Sequence, residues 1–395
     1  MKIAFDWSLV PGERAGIGQY SYNLAYALSR VDHVNEYILY VLMTASRRAA
    51  IKDGSVAPPP GDFRVEHRTI PFPYQLFRYM KLPGMGATFR EYMLGDIDAD
   101  IFHSNTFCVP RFRDKKRKVV VTVYDVSVFT HPECHKKMNI KHCLGGIRDA
   151  IKYADSIIAI SEHTKQDLIK YLNAPPELIT VTHLAAGSEY HEVKDKKKLK
   201  AVREKYGLPE DYILFVGSLE PRKNVKTLLK AYANMREGLK KDLPLVIAGG
   251  KGWMNSGIPG MVKDLKIEKR VRFAGYIDGA DIAAVYSGAA LFVYPSLYEG
   301  FGLPILEAMS CGAPVITSDT SSMPEVAGDA AVLINPTDVD ELGEALKRVI
   351  ENEGLRLSLR EKGLARAGTF SWERCARETL DVYRKVCNSE DLTGA

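Results

Sequence analysis

The amino-acid sequence predicts an α/β protein made of two doubly wound parallel sheets. Three observations support this fold class: the chain has 395 residues, apolar runs alternate with helical patterns, and the alternation restarts near residue 212. A chain of this length exceeds what one hydrophobic core usually holds, so two domains are expected. Residues 119–123 form a nearly continuous apolar run, which is typical of a parallel strand buried on both faces.

The first half of the chain predicts one sheet with flanking helices. Its predicted strands are 2–6, 37–43, 100–103, 118–124, 156–160 and 178–183. Its predicted helices are 17–30, 74–94, 138–153 and 162–172. These elements form a predicted first domain, residues 1–195. The lysine-rich stretch 194–200 interrupts the alternation, and we expect it to be a solvated surface that leads into a linker.

The second half repeats the alternation and predicts a second domain at residues 205–370. Its predicted strands are 212–216, 245–248, 271–274, 291–294 and 315–317. Its predicted helices are about 224–237, 280–288, 304–311 and 338–352. A final helix at about 371–387 could close either domain. Ligands bind beyond the carboxyl ends of the strands in such sheets, so we expect a site in a central cleft that the two sheets face.

The composition excludes several classes of protein. The apolar fraction of 46% and charged fraction of 26% are ordinary for a soluble globular chain, and a net charge of +5 does not require a nucleic-acid partner. No run approaches the roughly 18 apolar residues of a membrane span, and the N-terminus shows no cleavable signal pattern. The six cysteines are scattered and form no C-x-x-C pair, which predicts reduced thiols in a cytoplasmic protein.

The strongest motif is a helix start that follows the predicted strand 291–294. Pro304 suits the first turn of a helix, and Gly312 ends the same helix. The backbone N–H groups of Phe301, Gly302 and Leu303 are therefore expected at the positive end of the helix dipole. Such an end is a natural binding site for an anion such as phosphate.

Two carboxylates flank this predicted anion site. Glu299 lies in the loop before the helix, and Glu307 lies one turn inside it. Repulsion disfavours contact of both with a phosphate, but each could accept hydrogen bonds from sugar hydroxyls. The pattern suits a phosphate with a polyol on either side, although a capped helix with two surface glutamates would have the same sequence.

A second motif, residues 217–224, follows the first strand of the second half. Gly217 opens this loop, and Arg222 and Lys223 lie just before a predicted helix. Adjacent cations can neutralise a diphosphate, because Arg offers a fork of donors and Lys a point charge. Adjacent basic residues are also common on solvated surfaces, so the loop's position on the same sheet edge as Glu299 is what favours binding.

A third motif, residues 12–20, follows the first predicted strand. Gly16 and Gly18 resemble a fragment of a dinucleotide-binding fingerprint, but Ser21 occupies the position of its third glycine. The loop from Asp6 is also too long for the tight turn of that fingerprint. The motif therefore argues against an NAD-dependent oxidoreductase and predicts a flexible glycine-rich loop over a cleft.

Together these motifs resemble those of glycosyltransferases with the GT-B fold, in particular the large retaining family four. The resemblance covers essentially the whole chain and rests on residues 16–20, 220–224, 275–276 and 299–307, with the Cys-Gly-Ala-Pro-Val continuation at 311–315. Bacterial members build lipopolysaccharide, capsule and other polysaccharides, and many are mannosyltransferases. The resemblance implies a cytoplasmic transferase that uses a nucleotide-sugar donor.

The resemblance also implies a role for each donor-side motif. Arg222 and Lys223 would bind the donor diphosphate, Glu299 the transferred sugar and Glu307 the ribose hydroxyls. The amides of residues 301–303 would contact sugar and phosphate.

Further roles follow from the same resemblance. Tyr276 would border the nucleobase, Gly217 would line the donor site, and Gly16 and Gly18 would lie near the phosphates. The last helix, within 371–395, would cross back to the first domain. Neither a metal ion nor a cofactor is expected, and the absence of an Asp-x-Asp motif in a metal-binding context agrees with this.

One position departs from the family pattern. Members usually place a His-Asp pair after the strand that corresponds to 118–123, and that histidine points to the donor sugar. Here the pair is Tyr124-Asp125, and a phenol is a poor base near neutral pH. Asp125 remains a candidate catalytic residue and Tyr124 a candidate contact. His103 and His131 could supply the imidazole instead, or could be structural.

The resemblance favours GDP-mannose as donor, with UDP-glucose as the alternative, and a glycan or polyprenyl-linked acceptor. Without a strong protein base, the leaving phosphate could take the acceptor's proton on the same face of the sugar. A nucleotide-sugar epimerase or phosphorylase on the same architecture is a rival enzyme. A protein that binds nucleotide sugars without turnover is a rival of another class.

Basic residues of the first domain suggest a peripheral contact with the inner face of a membrane. They are Arg111, Arg113, Lys115, Lys116, Arg117 and Lys118 in one loop, with Lys136, Lys137, Lys141 and His142 nearby in sequence. With the aromatic segment 74–82, they could contact anionic lipid heads, which would suit a lipid-linked acceptor. A solvated loop is an equally good interpretation.

Overall fold

The chain forms two compact units. A computed structural model describes residues 1–8, 10, 16–44, 60–70, 97–106, 109–110, 112, 117–235, 243–250 and 257–388. The first unit takes in the chain up to Phe129, Lys136–Leu184 and the chain from Trp372 onwards. The second unit takes in Thr130–His135 and Ala185–Ser371.

The described strands form two sheets in which every pairing is parallel. The first sheet contains β1 (Lys2–Asp6), β2 (Glu36–Thr44), β3 (Phe63–Ile70), β4 (Ile101–Ser104), β5 (Lys118–Val123), β6 (Ser156–Ala159) and β7 (Ile179–Val181). The second contains β8 (Ile213–Val216), β9 (Leu245–Ala248), β10 (Val271–Gly275), β11 (Leu291–Tyr294), β12 (Val315–Ser318) and β13 (Ala331–Ile334).

Helices alternate with these strands along the chain. Those of the first half are α1 (Ile17–Val31), α2 (Ser127–Thr130), α3 (Lys137–Tyr153) and α4 (Glu162–Leu172). Those of the second half are α5 (Lys196–Tyr206), α6 (Val225–Asn234), α7 (Ile258–Asp264), α8 (Gly279–Ser287), α9 (Leu303–Ser310), α10 (Met323–Ala327), α11 (Val339–Glu351), α12 (Glu353–Ala367) and α13 (Trp372–Asn388).

Both sheets are doubly wound, which confirms the predicted fold class. The strand order is β3-β2-β1-β4-β5-β6-β7 in the first sheet and β10-β9-β8-β11-β12-β13 in the second. The winding direction reverses between β1 and β4 and between β8 and β11. Sheets of this kind bind ligands at such reversal points, beyond the carboxyl ends of the strands.

The last helix, α13, packs in the first unit. Its Trp372 ring lies 6.0 Å from the ring of Tyr20 on α1, measured between centroids. Its Tyr383 hydroxyl lies 2.6 Å from Nδ1 of His103 on β4. Tyr20, Tyr383 and His103 are all buried, so the helix contributes directly to the core of that unit.

The structure contains every predicted strand to within two residues and adds β3 and β13. Both additional strands lie at the edge of a sheet. Charged residues interrupt the sequence of β3, whereas β13 is apolar throughout and was missed although it carries the expected pattern. Among the helices, α2, α5, α7, α10 and α12 were not expected. The predicted helix 74–94 lies outside the described residues.

The lysines of the stretch 194–200 are exposed, as expected, but the stretch does not lead into a linker, and that part of the prediction was wrong. The stretch forms the first turns of α5, because the Asp195 carboxylate caps the helix by accepting a 2.8 Å hydrogen bond from the Lys197 amide. Gly207 ends the helix in the left-handed conformation, with φ 58°. Within the described ranges, no helix is long and apolar enough to cross a membrane.

Candidate active site

The loop between β8 and α6 is fixed at the carboxyl end of the second sheet. Pro221–Lys223 form a short 3-10 helix, and Asn224 follows in the left-handed conformation with φ 56°. The Asn224 side-chain amide donates hydrogen bonds to the carbonyls of Pro295 at 3.1 Å and Pro336 at 2.6 Å. The loop is therefore anchored to the segments that follow β11 and β13.

Arg222 is held through both its side chain and its backbone. Nη1 donates to Glu299 Oε2 and to the Tyr298 carbonyl, each at 2.6 Å, and Nη2 donates to Glu220 Oε1 at 2.9 Å. The Arg222 carbonyl accepts a 2.8 Å hydrogen bond from the Leu297 amide. The loop that follows β11 thus sets the position of the guanidinium group.

Lys223 is almost completely buried beside Glu299. Its Nζ donates to Glu299 Oε1 at 2.7 Å and to the Tyr294 hydroxyl at the end of β11. The Tyr294 hydroxyl also donates to Glu299 Oε1, at 3.0 Å. Burial lowers the pKa of Lys223; the Glu299 carboxylate opposes this shift, and the Arg222 charge adds to it.

Glu299 joins the two cations into one cluster. Burial alone would raise its pKa, but the charges of Arg222 and Lys223 outweigh burial and lower the pKa to about 2. Its backbone is fixed as well, because the Glu299 amide donates to Ser321 Oγ at 3.0 Å and Ser322 Oγ donates to the Glu299 carbonyl at 2.9 Å. With Glu220, two carboxylates face two cations at this sheet edge.

The helix α9 begins as the sequence predicted. Gly302 precedes it with φ 101°, a conformation that favours glycine, and Pro304 lies in its first turn. Phe301 is buried, and its ring lies 5.8 Å from the ring of Phe370. Leu303 is the first helical residue. The three residues whose amides were predicted to bind an anion therefore lie at a helix N-terminus.

Glu307 lies within α9 in a different environment from Glu299. Its carboxylate accepts a 3.0 Å hydrogen bond from the Tyr286 hydroxyl, and the Tyr190 hydroxyl also bonds to it. Burial raises the pKa of Glu307 to about 7, although these hydrogen bonds oppose the shift. Glu307 therefore changes its charge near neutral pH, whereas Glu299 stays ionised.

Glycines lie side by side at the carboxyl ends of β8, β9 and β10. The Gly217 amide donates to the Ala248 carbonyl at 3.0 Å, and the Gly249 amide donates to the Gly275 carbonyl at 2.7 Å. A Cβ at Gly249 would lie 2.2 Å from the Gly217 oxygen, closer than any side chain allows. Tyr276, the predicted nucleobase contact, is 73% exposed after this row.

The first unit holds the predicted glycine-rich loop and the Tyr124-Asp125 pair. Gly16 precedes α1 with φ 51° and is exposed, whereas Gly18 is buried within the helix. The Tyr124 hydroxyl donates to a backbone carbonyl at 3.2 Å, and burial raises its pKa well above the usual range. Asp125 Oδ1 accepts hydrogen bonds from the amide (2.9 Å) and hydroxyl (2.7 Å) of Ser127, at the start of α2.

The structure gives His103 a structural position, which corrects its interpretation as a substrate contact. The residue is fully buried in β4, and Nε2 lies 2.8 Å from Thr122 Oγ1 while Nδ1 bonds to Tyr383. Burial lowers the pKa of His103 to about 3. Both ring nitrogens are engaged within the core, so the imidazole holds α13 to the sheet. His131, by contrast, belongs to the second unit.

Several partners of the predicted site residues were not predicted from the sequence. Glu220, Tyr294 and Tyr298 all contact Arg222 or Lys223, and Tyr190 and Tyr286 bond to Glu307. The position of Tyr294 as the last residue of a strand that leads to Glu299 was a usable signal. The sequence carries no comparable signal for Tyr190.

The described part of the chain contains no group of three or more His, Cys, Asp or Glu side chains placed to hold a metal ion. Catalysis without a metal ion or cofactor stays a prediction.

Comparison with known proteins identifies the family. The glycosyltransferase family 4 model matches residues 14–185, and the model for glycosyl transferases group 1 matches residues 195–366. The chain is 32% identical over 388 residues to O-antigen chain mannosyltransferase B of Escherichia coli, covering 97% of this chain and 100% of that protein. It is 30% identical over 256 residues to the E. coli serotype-specific mannosyltransferase WbdA, a match that spans 61% of this chain and 30% of that protein.

Solved structures share the fold. Sucrose-phosphate synthase from Thermosynechococcus elongatus superposes with a TM-score of 0.76 at 21% identity, covering 98% of this chain and 99% of that one. Anabaena HepE, solved in complex with UDP-glucose, gives a TM-score of 0.73 at 18% identity, covering 98% and 100%. The fold, the motifs and the full-length match agree: the chain is a glycosyltransferase of family four with the GT-B fold.

Proposed function

We propose that the enzyme transfers a mannosyl residue from GDP-mannose to a glycan or polyprenyl-linked acceptor, with retention of anomeric configuration. The match to a mannosyltransferase over 97% of the chain supports mannose as the sugar. The observation that carries the proposal is the cluster of Arg222, Lys223 and Glu299 at the reversal point between β8 and β11. Two cations and an ionised carboxylate there suit a diphosphate linked to a polyol.

In this proposal, Arg222 and Lys223 bind the donor diphosphate. The lysine ammonium has three N–H donors, and its hydrogen bonds in the described part of the chain use two, to Glu299 and Tyr294. The third can reach a phosphate oxygen. Because Glu299 already orients both cations, little reorganisation is needed when negative charge develops on the leaving diphosphate.

Glu299 would have a second role toward the transferred sugar. Its pKa of about 2 keeps it a carboxylate, which accepts hydrogen bonds from sugar hydroxyls without donating a proton to the leaving group. Glu307 would accept from the ribose hydroxyls, and the amides of Phe301, Gly302 and Leu303 would contact sugar and phosphate. Tyr276 would border the nucleobase, and Gly217 would line the phosphate site.

On the first unit, we assign Gly16 and Gly18 to the phosphate side of the site. We assign Asp125 to its acceptor side. Tyr124 keeps its proton at neutral pH, because burial raises its pKa, so its phenol does not serve as a base. The acceptor hydroxyl then loses its proton to the departing phosphate on the same face of the sugar. The anomeric carbon–oxygen bond to phosphate breaks, the bond to the acceptor oxygen forms, and the configuration is retained without a metal ion or cofactor.

The donor is tested by thermal shift with GDP-mannose, UDP-glucose and their free diphosphates, because selective binding to the folded state raises stability by mass action. We expect stabilisation by GDP-mannose above all, and selective stabilisation by UDP-glucose would point to the alternative donor. Nucleoside diphosphate release separates a transferase from a protein that binds nucleotide sugars without turnover. NMR of the product's anomeric proton tests retention.

We expect GDP-mannose to bind about tenfold more tightly at pH 8 than at pH 6 if Glu307 accepts ribose hydrogen bonds. Its pKa of about 7 is raised, so the carboxylate is mostly protonated below that pH and ionised above it. Calorimetry across this range measures the effect, and Glu307→Gln should remove the pH dependence. The sugar nucleotide is the proper ligand, because the terminal phosphate of a free diphosphate also titrates near pH 6. If the affinity of wild type and of Glu307→Gln changed equally with pH, this role would be contradicted.

We also propose that the enzyme works at the cytoplasmic face of a membrane through the start of α3. Lys136, Lys137 and Lys141 are exposed there, and Met138 is 71% exposed between them. Of the other basic residues, Lys118 pairs with Asp155 at 3.7 Å. The predicted contacts at 74–82 and at Arg111, Arg113, Lys115 and Lys116 lie outside the described residues.

Replacing Lys137 and Lys141 together by alanine should weaken binding to vesicles rich in phosphatidylglycerol by about thirtyfold, since each basic residue near an anionic surface contributes about 1 kcal/mol. Co-sedimentation at low salt measures this. The exposed pair Lys226 and Lys230 on α6, changed in the same way, is the control. Failure of the wild-type protein to sediment with these vesicles would remove the membrane contact from the proposal.

A further inference from the structure

The segment Thr130–His135 belongs to the second unit, although the chain on either side of it belongs to the first. It forms a defined turn: Pro132–Cys134 is a 3-10 helix, with hydrogen bonds of 3.0 Å from the Cys134 amide to the His131 carbonyl and from the His135 amide to the Pro132 carbonyl. The turn is therefore a fixed element rather than an extended connection, and its side chains have set positions against the second unit.

The side chains of this turn lie against the loops that hold Arg222. The His131 ring lies 5.4 Å from the ring of Tyr298, at an interplanar angle of 49°. Glu133 lines a cavity of about 290 Å³ together with Glu220 and Pro221, which directly precede Arg222 in the sequence.

Cys134 gives a second sign of this proximity. The thiol is buried, and burial raises its pKa to about 11, while the charge of Arg222 acts in the opposite direction. Contact, shared cavity and charge therefore all place the turn beside the same arginine.

Tyr298 links His131 to Arg222. Its ring is buried, with 3% of the residue exposed, and its carbonyl accepts the 2.6 Å hydrogen bond from Arg222 Nη1. The preceding residue, Leu297, donates its amide to the Arg222 carbonyl. Any shift of the 297–298 loop therefore moves both ends of Arg222. The His131 ring packs on the tyrosine in this loop.

We propose that His131 is a positioning residue for the donor site, which packs on Tyr298 and so holds Arg222 in place to bind the donor diphosphate. The proposal rests on the proposed function in one respect only, the assignment of Arg222 to the donor diphosphate. We assign this role to ring packing, since the ring lies against Tyr298 and Nδ1 lies 3.0 Å from the hydroxyl of the neighbouring Thr130. Part of the second unit's binding site is thus supplied by chain that leaves and re-enters the first unit.

The test compares His131→Ala with His131→Phe, using calorimetric titration with GDP and with UDP and steady-state kinetics with GDP-mannose. The alanine variant should bind the diphosphate up to about tenfold more weakly, as expected for loss of a ring pair, and its KM should rise more than its kcat falls. The phenylalanine variant keeps a ring and should recover most of the affinity. His33→Ala, at an exposed position of the first unit, is the control and should match the wild type.

A double-mutant cycle with Arg222→Ala separates the inference from the proposed function. If His131 acts through Arg222, its replacement in the Arg222→Ala background should have almost no further effect on diphosphate affinity. Additive effects, wild-type affinity of His131→Ala, or equal loss in the alanine and phenylalanine variants would each overturn the inference. Unchanged diphosphate binding by Arg222→Ala alone would instead overturn the proposed donor site.

Discussion

Replacing Lys223 by alanine is expected to lower kcat about a hundred- to thousandfold, the usual effect of removing one preorganised donor that stabilises transition-state charge. The ammonium is fixed by Glu299 and Tyr294 in a buried position, so water replaces it poorly. Stability should fall by about 3 kcal/mol as well, because Glu299 is left buried with one cation fewer. Donor turnover and urea unfolding of the same preparation measure the two effects.

The two effects can be separated within the same cluster. Adding Glu299→Gln to Lys223→Ala removes the buried carboxylate that has lost one of its two cations, so part of the stability should return while turnover stays low. Lys226→Ala removes an exposed lysine of the adjoining helix α6 and serves as the control for charge alone. Turnover near that of the wild type in Lys223→Ala would show that the ammonium does not act on the donor phosphates.

Replacing Gly249 by alanine should destabilise the second unit by about 3 kcal/mol or more. The new Cβ would lie 2.2 Å from the backbone oxygen of Gly217, and φ at Gly249 is 134°, which strains any other residue. Either the loop of Gly217 moves or the strand ends separate. Denaturant unfolding followed by circular dichroism measures the loss, and diphosphate affinity should fall with it if Gly217 lines the phosphate site.

The neighbouring Gly250 provides a matched control. A Cβ there meets no atom within 4 Å, so Gly250→Ala should leave stability within about 0.5 kcal/mol of the wild type. Equal stability of the two variants would mean that β8 and β9 tolerate separation at their carboxyl ends.

The sequence predicted the two sheets well, because buried parallel strands carry continuous apolar runs. It failed at β3, where charged residues interrupt the strand, and at α5, whose lysines conceal a helix that Asp195 caps. The strand β13 carries an apolar run and was nevertheless missed. Helix α13 could be assigned to the first domain only by resemblance. Its burial against α1 depends on side chains such as Tyr383, which no local pattern identifies.

The candidate site was predicted in outline. Strand ends and turn residues place Arg222, Lys223 and Glu299 on one edge of the sheet, and the structure brings them together. Side-chain pairing could not be predicted, because it depends on rotamers and burial rather than on spacing. Glu299 was therefore expected only beside a sugar, and the difference in pKa between Glu299 and Glu307 was not foreseen.

The division of the chain bears on how such enzymes can be recombined. The first unit stops at Leu184 and resumes at Trp372, so residues 185–371 amount to an insertion in its chain. If the second unit binds the donor as proposed, replacing this insertion as a cassette could exchange donor preference. The segment Thr130–His135 would stay behind in such a chimera, because it lies outside the cassette. A hybrid that joins a foreign donor cassette to this first unit should therefore bind the donor diphosphate more tightly when residues 130–135 are exchanged with it.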